Sequence, residues 1–324
     1  MRVLDCIPGR YQPAVVHGGD RDWPESNCYV DLLLEIVHAL GLEPRACLAF
    51  TLASDFEGDQ WTFYKPPHGD LVDLYGLRIE ELTVWRPVLE HVVGQVEGGR
   101  LPLVEVDAFY LPDTAQTDYR RQHTKTTIGV NAVDLTAERL EYFHNAGYYA
   151  LDGDDFRGIF RLDRDTPADW LAPYCEILKV DRAAALPADR LVELSLERLG
   201  RYLALAPERN PLTAYGAAVE EQLGWVVGQD ESVYHAYVFA TLRQCGSCFE
   251  HAALLLDWLE ETGGLPLGAA AREFRSISAT AKMLVMKTAR MAARGRSQDV
   301  TGQFEAMAGA WQAGMTELSR RLPA

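Results

Sequence analysis

Ser26-Asn27-Cys28-Tyr29-Val30-Asp31-Leu32-Leu33-Leu34-Glu35-Ile36-Val37-His38-Ala39-Leu40-Gly41 is the stretch whose reading decides the fold. The apolar run from Val30 to Leu40 reads as a buried helix. Ser26 or Asn27 can cap its start, because either side chain accepts a hydrogen bond from a free N–H of the first turn. Gly41 suits the left-handed position just past the end. Cys28 therefore sits on the first turn, where unsatisfied N–H groups and the helix dipole favour thiolate over thiol. The competing reading is a packed core cysteine, since free cysteine is among the most buried residue types.

Downstream, Leu101 to Tyr110 reads as a buried strand, and His123 stands just before a second one. In Thr124 to Val133, apolar and polar residues alternate with period two. Asp134 to Glu138 makes a loop. Leu140-Glu141-Tyr142-Phe143 begins a return strand that runs into His144-Asn145-Ala146-Gly147-Tyr148-Tyr149. A histidine at the mouth of one strand and an Asn or Asp on the next is a way of holding a general base, because the carbonyl takes the imidazole N–H and fixes ring and tautomer. Cys28, His123 and Asn145 follow in the chain order of the papain-type triad. His144 is the second-choice base, and Asp152 and Asp154 compete with Asn145 for the orienting role.

The motifs Asn27-Cys28 before a helix, Asp107-Ala108-Phe109-Tyr110-Leu111-Pro112 closing a strand, and His123 to Val133 in a hairpin resemble the papain-fold acyltransferases typified by the butirosin-biosynthesis H protein. The resemblance covers about the first 150 residues. Nearly all of the chain resembles a bacterial family of unknown function, through Asp55 to Phe63, Tyr119 to Thr127 and Tyr142 to Tyr148. Members of that family tend to be encoded near carrier proteins and the ligases that load amino acids onto them. These resemblances imply an α+β fold, with a papain-like catalytic domain at 1–182 and an all-helical domain at 183–324. They imply cysteine-dependent transfer of an acyl or aminoacyl group from the phosphopantetheine thioester of a carrier protein to a small amine acceptor. Cys28 is the nucleophile, His123 the base and Asn145 its support. Asp107 and Tyr110 are expected at the pocket. The phosphopantetheine belongs to the partner, so the chain itself needs no cofactor. The same triad in a wetter pocket gives a thioesterase, amidase or peptidase, and a dead site gives a non-catalytic carrier-docking protein.

The papain-type oxyanion glutamine, six residues before the nucleophile, is replaced by Asp22, which cannot donate when ionised. The backbone N–H of Cys28, or the amide of Asn27 or Gln60, can serve instead. Gln60-Trp61-Thr62-Phe63-Tyr64-Lys65 reads as a strand lining the pocket. Asp55, Glu57 and Asp59 lack the ligand ladder of a calcium loop, and no metal site is expected. Arg120 and Arg121, just before His123, are candidates for a phosphate or carboxylate of the substrate, with a solvated charge run as the alternative.

The net charge of −16 argues against nucleic acid as a partner. Residues 271–324 run against this trend at +5. There Lys287, Arg290 and Arg294 fall at i, i+3 and i+7, so one helix face can offer all three to an acidic carrier protein. No apolar run reaches the roughly 18 residues of a membrane span, and no early stretch has signal-peptide layout. Six cysteines without a disulfide framework fit reducing conditions, so a cytoplasmic protein is expected. Cys245-Gly246-Ser247-Cys248 lies in a helical run, where Gly246 marks close packing better than redox chemistry.

Overall fold

The computed structural model describes residues 1–19, 21–163, 171–184 and 186–322. The chain divides into two compact units. One comprises Met1–Val15, Asn27–Pro44 and His68–Ala185, the other Val16–Ser26, Arg45–Pro67 and Leu186–Ala324. The last crossing lies within a few residues of the boundary expected at 182/183. The sequence reading nevertheless assumes a single cut, whereas two earlier segments belong to the helical unit.

The first unit is α+β. Its six-stranded sheet has the order β1-β6-β2-β3-β4-β5 and is antiparallel throughout: β1 is Leu77–Glu81, β2 Leu101–Asp107, β3 Lys125–Asp134, β4 Arg139–His144, β5 Gly147–Asp152 and β6 Cys175–Val180. Side chains alternate between faces along each strand, and directly paired residues share a face. Gly129 of β3 faces α1 (Cys28–Ala39), since a Cβ placed there would lie 3.2 Å from Ile36 Cδ1 and 3.6 Å from Leu32 Cδ1. On the opposite face Val104, Val106, Ile128, Val130, Leu140 and Tyr142 form a core with Val92 and Val96 of α3 (Val88–Glu97) and Phe156 of α4 (Gly153–Ile159). The N-terminal segment is tied on by Asn131, fully buried where β3 bulges. Its Oδ1 accepts from Leu4 N–H at 2.7 Å, and its Nδ2 donates to Leu4 O and Tyr148 Oη.

The second unit is built from α5 (Ala188–Ala204), α6 (Pro211–Val226), α7 (Glu231–Val238), α8 (Gln244–Gly263), α9 (Gly268–Arg294) and α10 (Thr301–Arg321), with one π-helical turn at Phe239–Arg243. Its two early segments supply core anchors. Trp61 is fully buried with its ring near those of Tyr215 and Phe249, and its backbone N–H donates to Ala240 O in the π turn. Asp22 and Trp23 donate their N–H groups to the Glu250 carboxylate. Trp61 therefore packs in the core, where a pocket-wall role had been expected of it. Gln60 lies exposed between Phe56 and Trp61, which are bridged to each other, and the indole of Trp61 is core. In Cys245-Gly246-Ser247-Cys248 both cysteines are buried, and burial holds their thiols above the ordinary range. A Cβ on Gly246 would lie 2.4 Å from Trp23 Cζ2. Gly246→Ala should therefore cost about 1–3 kcal/mol by overpacking. Urea unfolding followed by circular dichroism should show the midpoint fall, with the helical unit affected first.

Candidate functional site

Asn27 is the residue that caps α1, at extended φ and ψ, and its Oδ1 accepts from Val30 N–H at 3.0 Å. Such a cap contributes about 1 kcal/mol. Asn27 is 1% exposed, and its Oδ1 serves the helix. Cys28 is the first helical residue and the one cysteine of the six that is not buried. The next residue, Tyr29, donates its hydroxyl to Glu176 Oε2 at 2.7 Å. Tyr174 donates to Glu176 Oε1 at 3.0 Å. Burial and then the adjacent Glu176 charge push both phenols up, Tyr174 to about 12. The first turn of α1 is thereby fixed near the start of β6.

β1 and β2 finish at the same end of the sheet where β3 and β6 begin. A cavity of about 800 Å³ opens there, lined among others by Glu81, Glu105, Asp107, Tyr110, His123 and Lys125. Asp107 ends β2 and caps the 3-10 turn Ala108–Tyr110 through Oδ1, which accepts from Phe109 N–H. Its other oxygen, Oδ2, lies 2.6 Å from His123 Nδ1. The imidazole also stacks on Phe109, centroids 4.6 Å apart and planes 20° from parallel. Ring plane and tautomer are both set, and Nε2 is left for chemistry. Tyr110, 5% exposed, is wedged against Gly158 of α4 and closes one wall.

Strand alternation places these groups on faces. Asp107 and Glu105 follow Leu103 at even spacing, and Leu103 pairs with both Gly129 and Glu176. Asp107 therefore points to the face that α1 covers. Phe143 pairs with Gly129, so His144 points to the other face. There its ring is held between Asp113 Oδ2 at 2.5 Å and Thr126 Oγ1 at 2.8 Å, with 2% of the side chain exposed. His144 is a satisfied core histidine across the sheet from Cys28.

Asn145 sits in the two-residue loop between β4 and β5 with φ +45°. Asn tolerates this left-handed conformation, and tight hairpins select for it. His123 Nδ1 donates to Asp107 Oδ2, where the sequence pointed to Asn145 as the acceptor. Asp152 is exposed and lies 3.4 Å from Arg139, while Asp154 is in the first turn of α4. Arg120 is spent internally: its Nη2 meets Asp155 Oδ1 at 2.5 Å, and its guanidinium lies over Phe109, Tyr110 and Tyr119. Arg121 donates to Gln116 O. The expected anion-binding pair is therefore a local brace for the turn that carries His123. In the helical unit, Lys287 donates to Asp299 O at 2.7 Å and to Gln303, joining α9 to α10. Arg290 and Arg294 are exposed.

The sequence reading missed Glu81, Lys125 and Cys175 of the cavity wall. Cys175 is buried, and burial followed by the nearby Glu105 charge pushes its thiol up to about 12. Among the described residues no group of three His, Cys, Asp or Glu side chains is arranged to hold a metal ion, and no helix is long and apolar enough to cross a membrane.

The geometry defines an α+β unit with an oriented His–Asp pair in a cavity at one end of its sheet, and a separate helical unit. Two family models cover the chain, the DUF1839 N-terminal domain over residues 12–180 and the DUF1839 C-terminal domain over residues 188–320. The chain belongs to this family, whose function is unknown. No curated protein matches it. Iodoacetamide at neutral pH should carbamidomethylate Cys28 in the native protein and leave Cys175, Cys245 and Cys248 as thiols until unfolding. Peptide mass mapping reads the result, and native labelling at Cys175 would reverse the assignment.

Proposed function

We propose that the chain is a cysteine-dependent acyltransferase in which Cys28 attacks a thioester, His123 moves the proton and Asp107 holds His123. One observation carries this reading. Asp107, which orients the exposed imidazole, points to the sheet face covered by α1, and the first turn of α1 bears the one unburied cysteine. His123 accepts the nucleophile's proton through Nε2, then returns it as the thiol leaving group departs. In the second half it deprotonates an amine that attacks the acyl-cysteine, and Cys28 is regenerated. The backbone N–H groups of the first turn of α1 are the donors nearest in sequence to the developing oxyanion. The carrier-bound aminoacyl donor comes from the family resemblance, as does a papain-like ancestry for the sheet and helix. The same chemistry also suits hydrolysis, with water in place of the amine.

Incubation with an aminoacylated carrier protein should give an acyl adduct on the wild-type chain, seen by intact mass. Cys28→Ala should give none, and turnover should fall at least about a thousandfold. His123→Ala should be nearly as damaging. Asp107→Asn should lose less, on the order of 10- to 10⁴-fold, because it misorients a base that is still present. Asn145→Ala should stay within about twofold. Full turnover by Cys28→Ala would refute the covalent mechanism, and a loss in Asn145→Ala as large as that in Asp107→Asn would restore Asn145 as the support.

A further inference from the structure

Strand alternation divides the wall of the cavity into two chemically different sides. Glu105 and Asp107 of β2 point to the face covered by α1, and so does Lys125, which pairs with Asp107. These charges have partners: Lys125 meets Glu105 at 2.7 Å, and Asp107 accepts from His123 Nδ1 and Phe109 N–H. Glu81 lines the cavity from the exposed end of β1, and Arg161 from the turn after α4. Val106 points the other way, and Cys175, paired with Val104, shares its face. Ile159 of α4 lines that side as well, with Leu82 and Val84 from the loop that leaves β1. All five apolar residues also belong to the core on that face. Val106 and Cys175 are buried members of it, and Leu82, Val84 and Ile159 are half-buried side chains packed against it. The core is therefore not closed at this end of the sheet. Its side chains form one wall of an open space of about 800 Å³.

We propose that the α4 side of this cavity is an apolar subsite that takes an aliphatic chain of the substrate, with the reacting carbonyl left on the other side beside His123. This rests on the acyl-transfer reading and names the substrate class, a molecule with a hydrocarbon chain of several carbons rather than a glycyl or methyl group. Apolar side chains left against water are stabilised when an apolar group displaces that water. A space of this size, with an apolar wall and a few placed polar groups, is the usual form of a small-molecule site. The division of the wall matches an amphiphilic ligand: the polar groups orient one end, and the open core accepts the other. Each methylene that enters should tighten binding by up to about fourfold. The chain belongs either to the acyl group of the donor or to the amine acceptor.

Calorimetric titration tests this with two series of probes: propanamide, pentanamide and heptanamide as mimics of the acyl donor, and propylamine, pentylamine and heptylamine as mimics of the acceptor. In at least one series the affinity should rise with each added methylene, by about two- to fourfold. A rise in the amides assigns the chain to the donor, and a rise in the amines assigns it to the acceptor. Ile159→Trp fills the apolar side and should erase the gain from the longer chains. Val84→Ser, at a half-exposed loop position, should weaken the seven-carbon probe about two- to fourfold and spare the three-carbon one. Affinity independent of chain length in both series, or a chain-length gain that both variants keep in full, would overturn the proposal. Cys28→Ala keeps the two readings apart, since it should bind the probes like wild type. Chain-length-dependent binding by a wild-type protein that forms no acyl-enzyme would sink the covalent mechanism and leave the subsite standing. An acyl-enzyme formed with no preference for chain length would do the reverse.

Discussion

Leu32 and Ile36 of α1 rest on Gly129 of β3, and that contact settles which face of the sheet belongs to Cys28. A side chain at Gly129 would press on Ile36 Cδ1 at 3.2 Å, so the close seat of the helix depends on the missing Cβ. Once α1 is seated, period-two alternation sorts the rest. Asp107, Glu105, Glu176 and Glu81 fall on the helix side, whereas Tyr142 and His144 fall into the opposite core. In the proposed mechanism, the choice between His123 and His144 as base therefore turns on the face to which Gly129 of β3 admits α1. The bond from Tyr29 to Glu176 then anchors the first turn of the helix near the end of the sheet where the cavity opens.

Much of this was legible in the chain because it is written in local patterns. The apolar run after Asn27 gave α1, and the structure shows Asn27 as the cap where either it or Ser26 would have served. Alternation in Thr124 to Val133 gave β3, and the loop at 134–138 gave the turn into β4. The all-helical domain expected from residue 183 on corresponds to the helices from α5 to α10. What failed depended on contacts far apart in sequence. Asp107 holds His123 across sixteen residues through the end of β2, a pairing no spacing rule supplies. Asn145 looked like a triad member because Asn also suits the left-handed position of a tight hairpin. Trp61 looked like a pocket wall because its burial against Tyr215 and Phe249 depends on helices 150 or more residues away.

Charge was the least readable feature. From the sequence, Arg120 and Arg121 were candidates for an anion site, with a solvated charge run as the alternative, and the acidic balance argued only against a nucleic-acid partner. The structure reverses the emphasis. Arg120 is consumed by Asp155 and three aromatic rings, while the carboxylates of β1, β2 and β6 gather on one face because strand register pairs Glu81 with Glu176 and Leu103 with Glu176. A side chain's charge matters to function only after its neighbours are known, and in a sheet those neighbours are set by register rather than by sequence distance.

The central claim is that Cys28 and His123 act on one another across the end of the α1-covered face. The rate of Cys28 alkylation by iodoacetamide at neutral pH measures that coupling directly. The account predicts a rate that falls clearly in His123→Ala and less in Asp107→Asn, with His144→Gln unchanged wherever it folds. A rate unaffected by loss of His123, or one that follows His144 instead, would contradict it.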